Sequence, residues 1–376
     1  MLDNILTYPQ GAESDPFFAA LATALLPILG YDEDTEYYCS PRGKYCTLCG
    51  ECGRSRLMSN HEMLYHALFA ASGAAFCFDA PEDDDCESKT YPGVSRGWRW
   101  DDEFVDRLAR VCGVSYCRRR GDDVDVSEQI ANSLSRGYPV LARLGASGNC
   151  AFGDDTAWCV VTGCDGDTLR GWDSCFRYLS AFAEYADSNA DSEFILHGWR
   201  ERLNDAIIFT GRTEPSVSFR EILRHIIDVL RCGAREDYRR EVFGLIDGAS
   251  GENAQMAAFI LTSMVGYPIE ARWHAAEAFC SKDNILVNLS NDEQLKAKLA
   301  DLMFSRYIQN DNDETHGVCW KIWNLLGGWG ERGYELAPDA AERICQSEVK
   351  AELRRLYTII FDNDEAVLRG LCELVY

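Results

Sequence analysis

The chain has 376 residues, enough for two domains and too many for one small core. With 47% hydrophobic and 26% charged residues its composition is that of a globular protein. A formal net charge of −24 repels nucleic-acid phosphates and anionic membranes, so neither is an expected partner, while the same surface favours solubility and can attract a cationic ligand.

The start, Met1-Leu2-Asp3-Asn4, lacks a basic stretch followed by an apolar one, so no secretory signal is expected. The apolar run 17–29 is too short to span a bilayer. It reads as a buried helix: Ser14-Asp15-Pro16 offers a cap and a first-turn proline, Phe17, Phe18, Leu21, Ala24, Leu25 and Leu29 recur at helical spacing, and Gly30 ends it. A Cys-rich irregular stretch at 31–56 follows, then a second helix over 61–78 with a break at Ser72-Gly73. Beyond residue 98 helices and strands alternate. Asp101 caps a helix closed by Gly113, 114–118 is a strand, and Ser127 caps a helix closed by Gly137. Strands follow at 139–144, at 157–163 and 168–172 around the turn Cys164-Asp165-Gly166-Asp167, and at 206–209.

From Ser218 the strand signal ends. Helical patterns occupy 218–230, 252–265, 269–280, 292–309, 314–326 and 347–374, the last expected to break near Asp362-Asn363. The polar stretch Gly211-Arg212-Thr213-Glu214-Pro215 is the expected seam. The fold class is therefore α+β over 1–212, with the Cys-rich insertion at 31–56, followed by an all-helical, bundle-like domain over 213–376. The 17 cysteines are odd in number, and Cys112, Cys159, Cys232, Cys280, Cys319 and Cys372 sit singly in apolar stretches. They fit buried free thiols in a reducing cytosol better than a disulfide framework, and a cytoplasmic location is expected.

One order of elements carries a resemblance. Ser135-Arg136-Gly137-Tyr138-Pro139-Val140 is followed by Trp158-Cys159-Val160-Val161-Thr162-Gly163-Cys164-Asp165 and then by Trp172-Asp173. This resembles the second half of papain-like domains of the C39-peptidase type, where "G-x-P-V" precedes "H-x-V-V-x-G-x-D" and a strand ending in Asp or Asn. With its helical tail the chain also resembles, distantly, the butirosin-biosynthesis H-type proteins, which implies acyl transfer from a carrier protein to an aminoglycoside. The resemblance implies a papain-like fold over the first 210 residues or so, a thiolate at the start of the first helix, an imidazole base and an orienting carboxylate.

Thiol catalysis needs a nucleophile lowered in pKa by a helix N-terminus and a nearby imidazole. The first helix opens with Asp15-Pro16-Phe17-Phe18-Ala19-Ala20, with no cysteine, and Trp158 stands in the place of the histidine. Indole cannot take the proton. Only Asp173 remains, at the orienting position. The expectation is a noncatalytic domain that binds a peptide, a small metabolite or a protein partner. The alternative is a cysteine-dependent acyltransferase or amide hydrolase with a rearranged nucleophile, for which Cys150 is the available loop thiol.

Cys39, Cys46, Cys49 and Cys52 form the second feature. Their short spacings and the glycines after Cys49 and Cys52 allow thiolates to face one ion, so zinc is a candidate cofactor, with His61 able to replace one ligand. The spacing lacks two well-separated Cys-x-x-Cys pairs. Iron–sulfur ligation and a plain loop of reduced thiols stay open. Metal- or redox-responsive behaviour centred on this cluster is a third functional class.

Trp98 and Trp100, near Arg96 and Arg99, together with Trp158 are candidates to line a ligand pocket at the junction of the two halves. Arg118-Arg119-Arg120 is a basic island that either holds an anion or is a strand end meeting solvent. Asp83-Asp84-Asp85 and Asp122-Asp123 read as solvated loops.

Overall fold

The computed structural model describes residues 16–31, 37–38, 57–58, 60–77, 102–145, 156–172, 186–188, 193–231, 234–264, 270–281, 283–310, 317–326 and 336–376. It is α+β. In chain order its elements are α1 (Pro16–Leu29), β1 (Tyr37–Tyr38), β2 (Leu57–Met58), α2 (Asn60–Ala71), α3 (Asp102–Cys112), β3 (Val114–Arg119), α4 (Val126–Ser135), β4 (Val140–Gly145), β5 (Thr156–Asp165), β6 (Thr168–Trp172), β7 (Ala186–Ser188), β8 (Glu193–His197) and β9 (Leu203–Arg212). Helices follow: α5 (Phe219–Arg231), α6 (Ala234–Gly248), α7 (Ala254–Met264), α8 (Glu270–Cys280), α9 (Glu293–Met303), α10 (Val318–Leu326), α11 (Ala340–Ile344) and α12 (Ser347–Val375).

Strands β3 to β9 make one antiparallel sheet in the order β3-β9-β4-β5-β6-β8-β7. Side chains alternate between its faces, as the pleat requires. Leu141, Trp158, Val160, Ile207 and Phe209 point into the core that holds α1 and α3. Val140, Ala142, Leu144, Cys159, Val161, Ala206 and Ile208 point the other way, into a second core with Val126 and Ile130 of α4. Between β5 and β6 the register shifts at Val161/Gly163. Gly171 is required there, since a Cβ would stand 2.2 Å from the Val160 carbonyl oxygen.

Helix α1 is apolar on every side because every side is covered, by β5 on one flank and α2 on the other. Helix α2 is enclosed in turn between α1 and α8. The apolar core that starts at α1 therefore runs without interruption into α5, α8, α9 and the last turns of α12. The chain segment after β9 is pinned to α3: Thr213 N–H donates to the Gly113 carbonyl at 2.7 Å and Ser216 N–H to that of Arg110 at 3.0 Å. A third core gathers α6, α7, α10, α11 and the first half of α12.

Two expectations are corrected. Helix α4 starts at Val126, so Ser127 is no cap; its Oγ accepts from Arg200 Nη2 at 2.6 Å. Helix α12 runs unbroken over 29 residues through Asp362-Asn363. Asn363 and Asp364 are buried and bonded there, Asn363 Nδ2 to the Arg306 carbonyl at 3.2 Å and Asp364 to Arg272, so they hold the helix in place and do not end it. The basic island is a strand end meeting solvent, one of its two expected readings: Arg119 ends β3 and pairs with Asp125, Arg120 is exposed, and Arg118 pairs with Asp205 and Asp102. Capping at Ser218 is as expected. Its N–H donates to Glu221 Oε2 at 2.7 Å and its Oγ accepts from the Glu221 N–H at 3.2 Å, a capping box.

Candidate functional site

The position where a helix N-terminus meets the sheet is built from α1, β5 and α3. Pro16 opens α1, its fixed φ suited to a first turn and its missing N–H no loss there. Phe17 is next, and Trp158 lies three residues into β5 on the same side of the sheet. Their rings meet edge to face, centroids 5.1 Å apart at 75°. Phe104 of α3 closes the cluster at 5.8 Å from Phe17, and Phe18 stands 5.4 Å from it. Phe17, Phe18 and Trp158 are buried almost completely. Edge-to-face aromatic pairs of this kind add about 0.5–1.5 kcal/mol each beyond the area they bury.

Chemically, this place has the field a thiolate uses. The first turn of a 14-residue helix carries N–H groups with no partner inside the helix and the positive end of the dipole. A phenyl ring and an indole occupy it. Neither is a nucleophile or a proton acceptor.

Around the aromatic cluster the sheet is charged. Register places Arg143 of β4 opposite Trp158 on one side and Asp205 of β9 on the other. Asp205 receives Arg118 from β3, and Arg118 Nη1 also donates to Asp102 Oδ1 in the first turn of α3 at 2.9 Å. The Arg118 guanidinium is held further into its charged form: burial opposes this, and the hydrogen bond and charge of Asp205 override it. This row of charges ties α3 to the sheet beside Phe104.

Among the described residues, nine cysteines are thiols outside any disulfide. Where their acidity departs from that of an ordinary thiol it departs in the direction that disfavours attack. Burial pushes the Cys112 thiol well up. Burial also raises Cys117 against the pull of Arg119, and Cys164 against that of Arg200. A reactive cysteine needs the opposite shift.

The other sequence candidates fall as follows. Trp158 is in the cluster just described. Asp173, directly after β6, and Cys150, between β4 and β5, lie outside the described residues, as do Trp98, Trp100, Cys39, Cys46, Cys49 and Cys52. What is described of the Cys-rich region is its base: β1 and β2 pair antiparallel, Tyr37 with Met58 and Tyr38 with Leu57, which brings the two ends of segment 39–56 side by side. His61 is buried in α2. Thr23 Oγ1 donates to the Ala19 carbonyl at 2.9 Å, so the His61 Nε2 that approaches Thr23 Oγ1 at 2.9 Å and the Ala19 carbonyl at 3.1 Å is the protonated nitrogen, donating to both.

Two features of the core were not legible in the residue pattern. Arg272, Asp364 and Tyr307 form a buried polar triad, and His66 and His274 meet between α2 and α8. The only sequence signal for the first was a carboxylate at a position of α12 flanked by apolar residues at helical spacing, Ile360, Phe361 and Val367.

Among the described residues, no helix is long and apolar enough to cross a membrane, and no group of three or more His, Cys, Asp or Glu is arranged to hold a metal ion. In comparisons with known proteins the chain matches no family model and no curated protein.

Proposed function

We propose that the N-terminal half is a catalytically silent papain-like domain of the C39 type, joined to helical elements, and that it works by binding a peptide, a small metabolite or a protein partner in the cytoplasm. The observation that carries this is the Phe17–Trp158 contact. In a thiol enzyme of this kind, the first turn of the helix and the facing strand supply nucleophile and base. Here Phe17 in the first turn of α1 packs against Trp158, the residue that the motif order sets in the place of the base, and this aromatic pair supports the reading. The raised thiols of Cys112, Cys117 and Cys164 fit the same picture. With a net charge of −24, cationic ligands are the first class to try.

The test has two arms on the intact chain. Incubation with a peptidyl epoxide, a trap for thiol peptidases, should leave the mass unchanged. A single stoichiometric adduct would establish the enzyme alternative and name its cysteine. Thermal-shift screening against short basic peptides and polyamine-like metabolites should raise Tm for a binder, since a ligand that binds only the folded state stabilises it.

A further inference from the structure

Behind Phe17 the contact between α1 and α3 is not completely filled. An apolar cavity of about 10 Å³, roughly one water-sized sphere, lies between them. Phe17, Leu21 and Leu25 of α1 form one wall, Leu108 and Cys112 of α3 the second, and Tyr116 of β3 the third. Every other residue that lines it is buried, and Tyr116 is partly exposed, so its ring is the cover. Strand β3 is the edge of the sheet, and its pairing with β9 shifts register between Ser115 and Tyr116, leaving Thr210 of β9 without an opposite residue. Such bulges disrupt the ladder locally and re-aim a side chain. One bond fastens the cover: the Tyr116 hydroxyl donates to Asp106 Oδ1 of α3 at 2.8 Å.

Outside the cover the charge is negative. Asp106 is exposed and pairs with no cation among the described residues; of the arginines on its own helix, Arg107 pairs with Glu103 and Arg110 with Glu221. Of the charges that act on Tyr116, Asp106 and Asp102 are negative and Arg118 is positive, and Arg118 is already balanced by Asp205. Burial first, and then the bond to Asp106, push the Tyr116 phenol well above its ordinary pKa, so it stays a neutral donor. We propose that this cleft binds a small amine with an apolar body: the body enters the cavity in place of the Tyr116 ring, and the ammonium replaces the hydroxyl on Asp106. Once the ring swings out, the cavity and the space of the phenol join into one. Apolar body then replaces apolar ring, and a charged donor replaces a neutral one on the carboxylate, which is the stronger hydrogen bond. An anion of the same shape meets the carboxylates and is repelled. The site lies apart from the Phe17–Trp158 contact, so its failure leaves the reading of that contact untouched.

Titration calorimetry on the full chain at pH 7 tests this with 2-phenylethylamine, ethylamine and phenylacetate. Phenylethylamine should bind at a single site. Ethylamine, which lacks the ring, and phenylacetate, which reverses the charge, should bind about tenfold or more weakly, as loss of a buried ring or of a charged hydrogen bond dictates. Asp106→Asn should weaken phenylethylamine by about tenfold or more and leave phenylacetate no weaker. Tyr116→Ala removes the cover and should tighten phenylethylamine. If it does not fold, Tyr116→Phe, which keeps the ring and frees its bond, should do the same by a smaller factor. No heat from phenylethylamine at millimolar concentration, equal binding of phenylethylamine and either control, or an affinity unchanged in Asp106→Asn or in the Tyr116 variant would each overturn the site.

Discussion

Arg272 and Asp364 face each other across the α8–α12 contact with no exposure to solvent, Nε to Oδ1 at 2.7 Å and Nη2 to Oδ2 at 3.0 Å. Asp364 stands on α12 between the residues that pack into the C-terminal core, up to Phe361, and those that pack into the core of α1, from Val367 on. Tyr307 completes the carboxylate's shell at 2.8 Å from a π-helical turn, Phe304–Ile308, that widens the end of α9.

A fork-to-fork pair buried this deeply cannot lose one member cheaply. Asp364→Ala should destabilise by about 3–5 kcal/mol, since it strands a buried guanidinium. Replacing both partners, Arg272→Met with Asp364→Leu, should cost far less. Urea unfolding of the three proteins measures both, and equal losses in single and double variants would contradict the assignment.

Trp158 is held by its packing. Trp158→Ala should cost about 3–5 kcal/mol through lost contacts and the cavity left behind. Trp158→Phe, which keeps an aromatic edge for Phe17, should cost clearly less in the same denaturation series.

The proposed silent site can be tested by placing a thiol and an imidazole in it. In Phe17→Cys with Trp158→His, a thiol at the start of α1 meets an imidazole on β5. Its alkylation should persist at lower pH than that of the Phe17→Cys thiol alone. Identical pH profiles for the two variants would show that residues 17 and 158 are not placed as a dyad.

His225 gives stability a pH dependence of defined sign. Its Nε2 lies between the Ser72 carbonyl at 3.0 Å, which favours a protonated nitrogen, and the Arg107 guanidinium at 2.7 Å, which opposes a charged ring. Burial first, and then the Arg107 charge, lower its pKa. The unfolded chain takes up this proton near the ordinary value of about 6.5, so the contribution is present above that pH and is lost as pH falls toward the depressed native value. Thermal melts between pH 7.5 and 5.5 should show a smaller loss in His225→Gln than in the wild-type chain.

The Cys-rich segment carries its own prediction. Zinc held by Cys39, Cys46, Cys49 and Cys52 would appear as about one equivalent per chain by elemental analysis, reduced in Cys49→Ser. Metal-free protein whose four thiols all react in the native state would leave only the loop of reduced cysteines. Bound iron with a visible absorption band would point to a cluster instead.

Much of the fold is written in local signals. Gly30, Gly113 and Gly137 end their elements with positive φ, as their places in the sequence suggest. Strands β3 to β6 and β9 announce themselves through β-branched runs and turns. Helix α6 escaped because its buried stripe is thin: Tyr238, Val242 and Ile246 recur only every fourth residue amid charges. Strand β8 escaped because five residues with two buried side chains, Phe194 and Leu196, make a weak alternation. Of the aromatic cluster, the apolar start of α1 and Trp158 on its strand were legible. Phe104 was not, since α3 reaches Phe17 only through tertiary packing. Nor were the buried charges, because Arg and Asp are exposed in nearly every sequence context and only a partner brought by the fold makes burial affordable.

The proposed catalytically silent domain requires that no thiol of the chain be activated for catalysis. Alkylation of each cysteine by iodoacetamide across pH 5.5–8.5, resolved by peptide mass spectrometry on the native protein, tests it most directly. Outside the 39–52 segment every rate should fall about tenfold per pH unit below 8, as an ordinary thiol dictates. One cysteine there, Cys150 above all, that keeps its full rate at pH 6 would contradict the account.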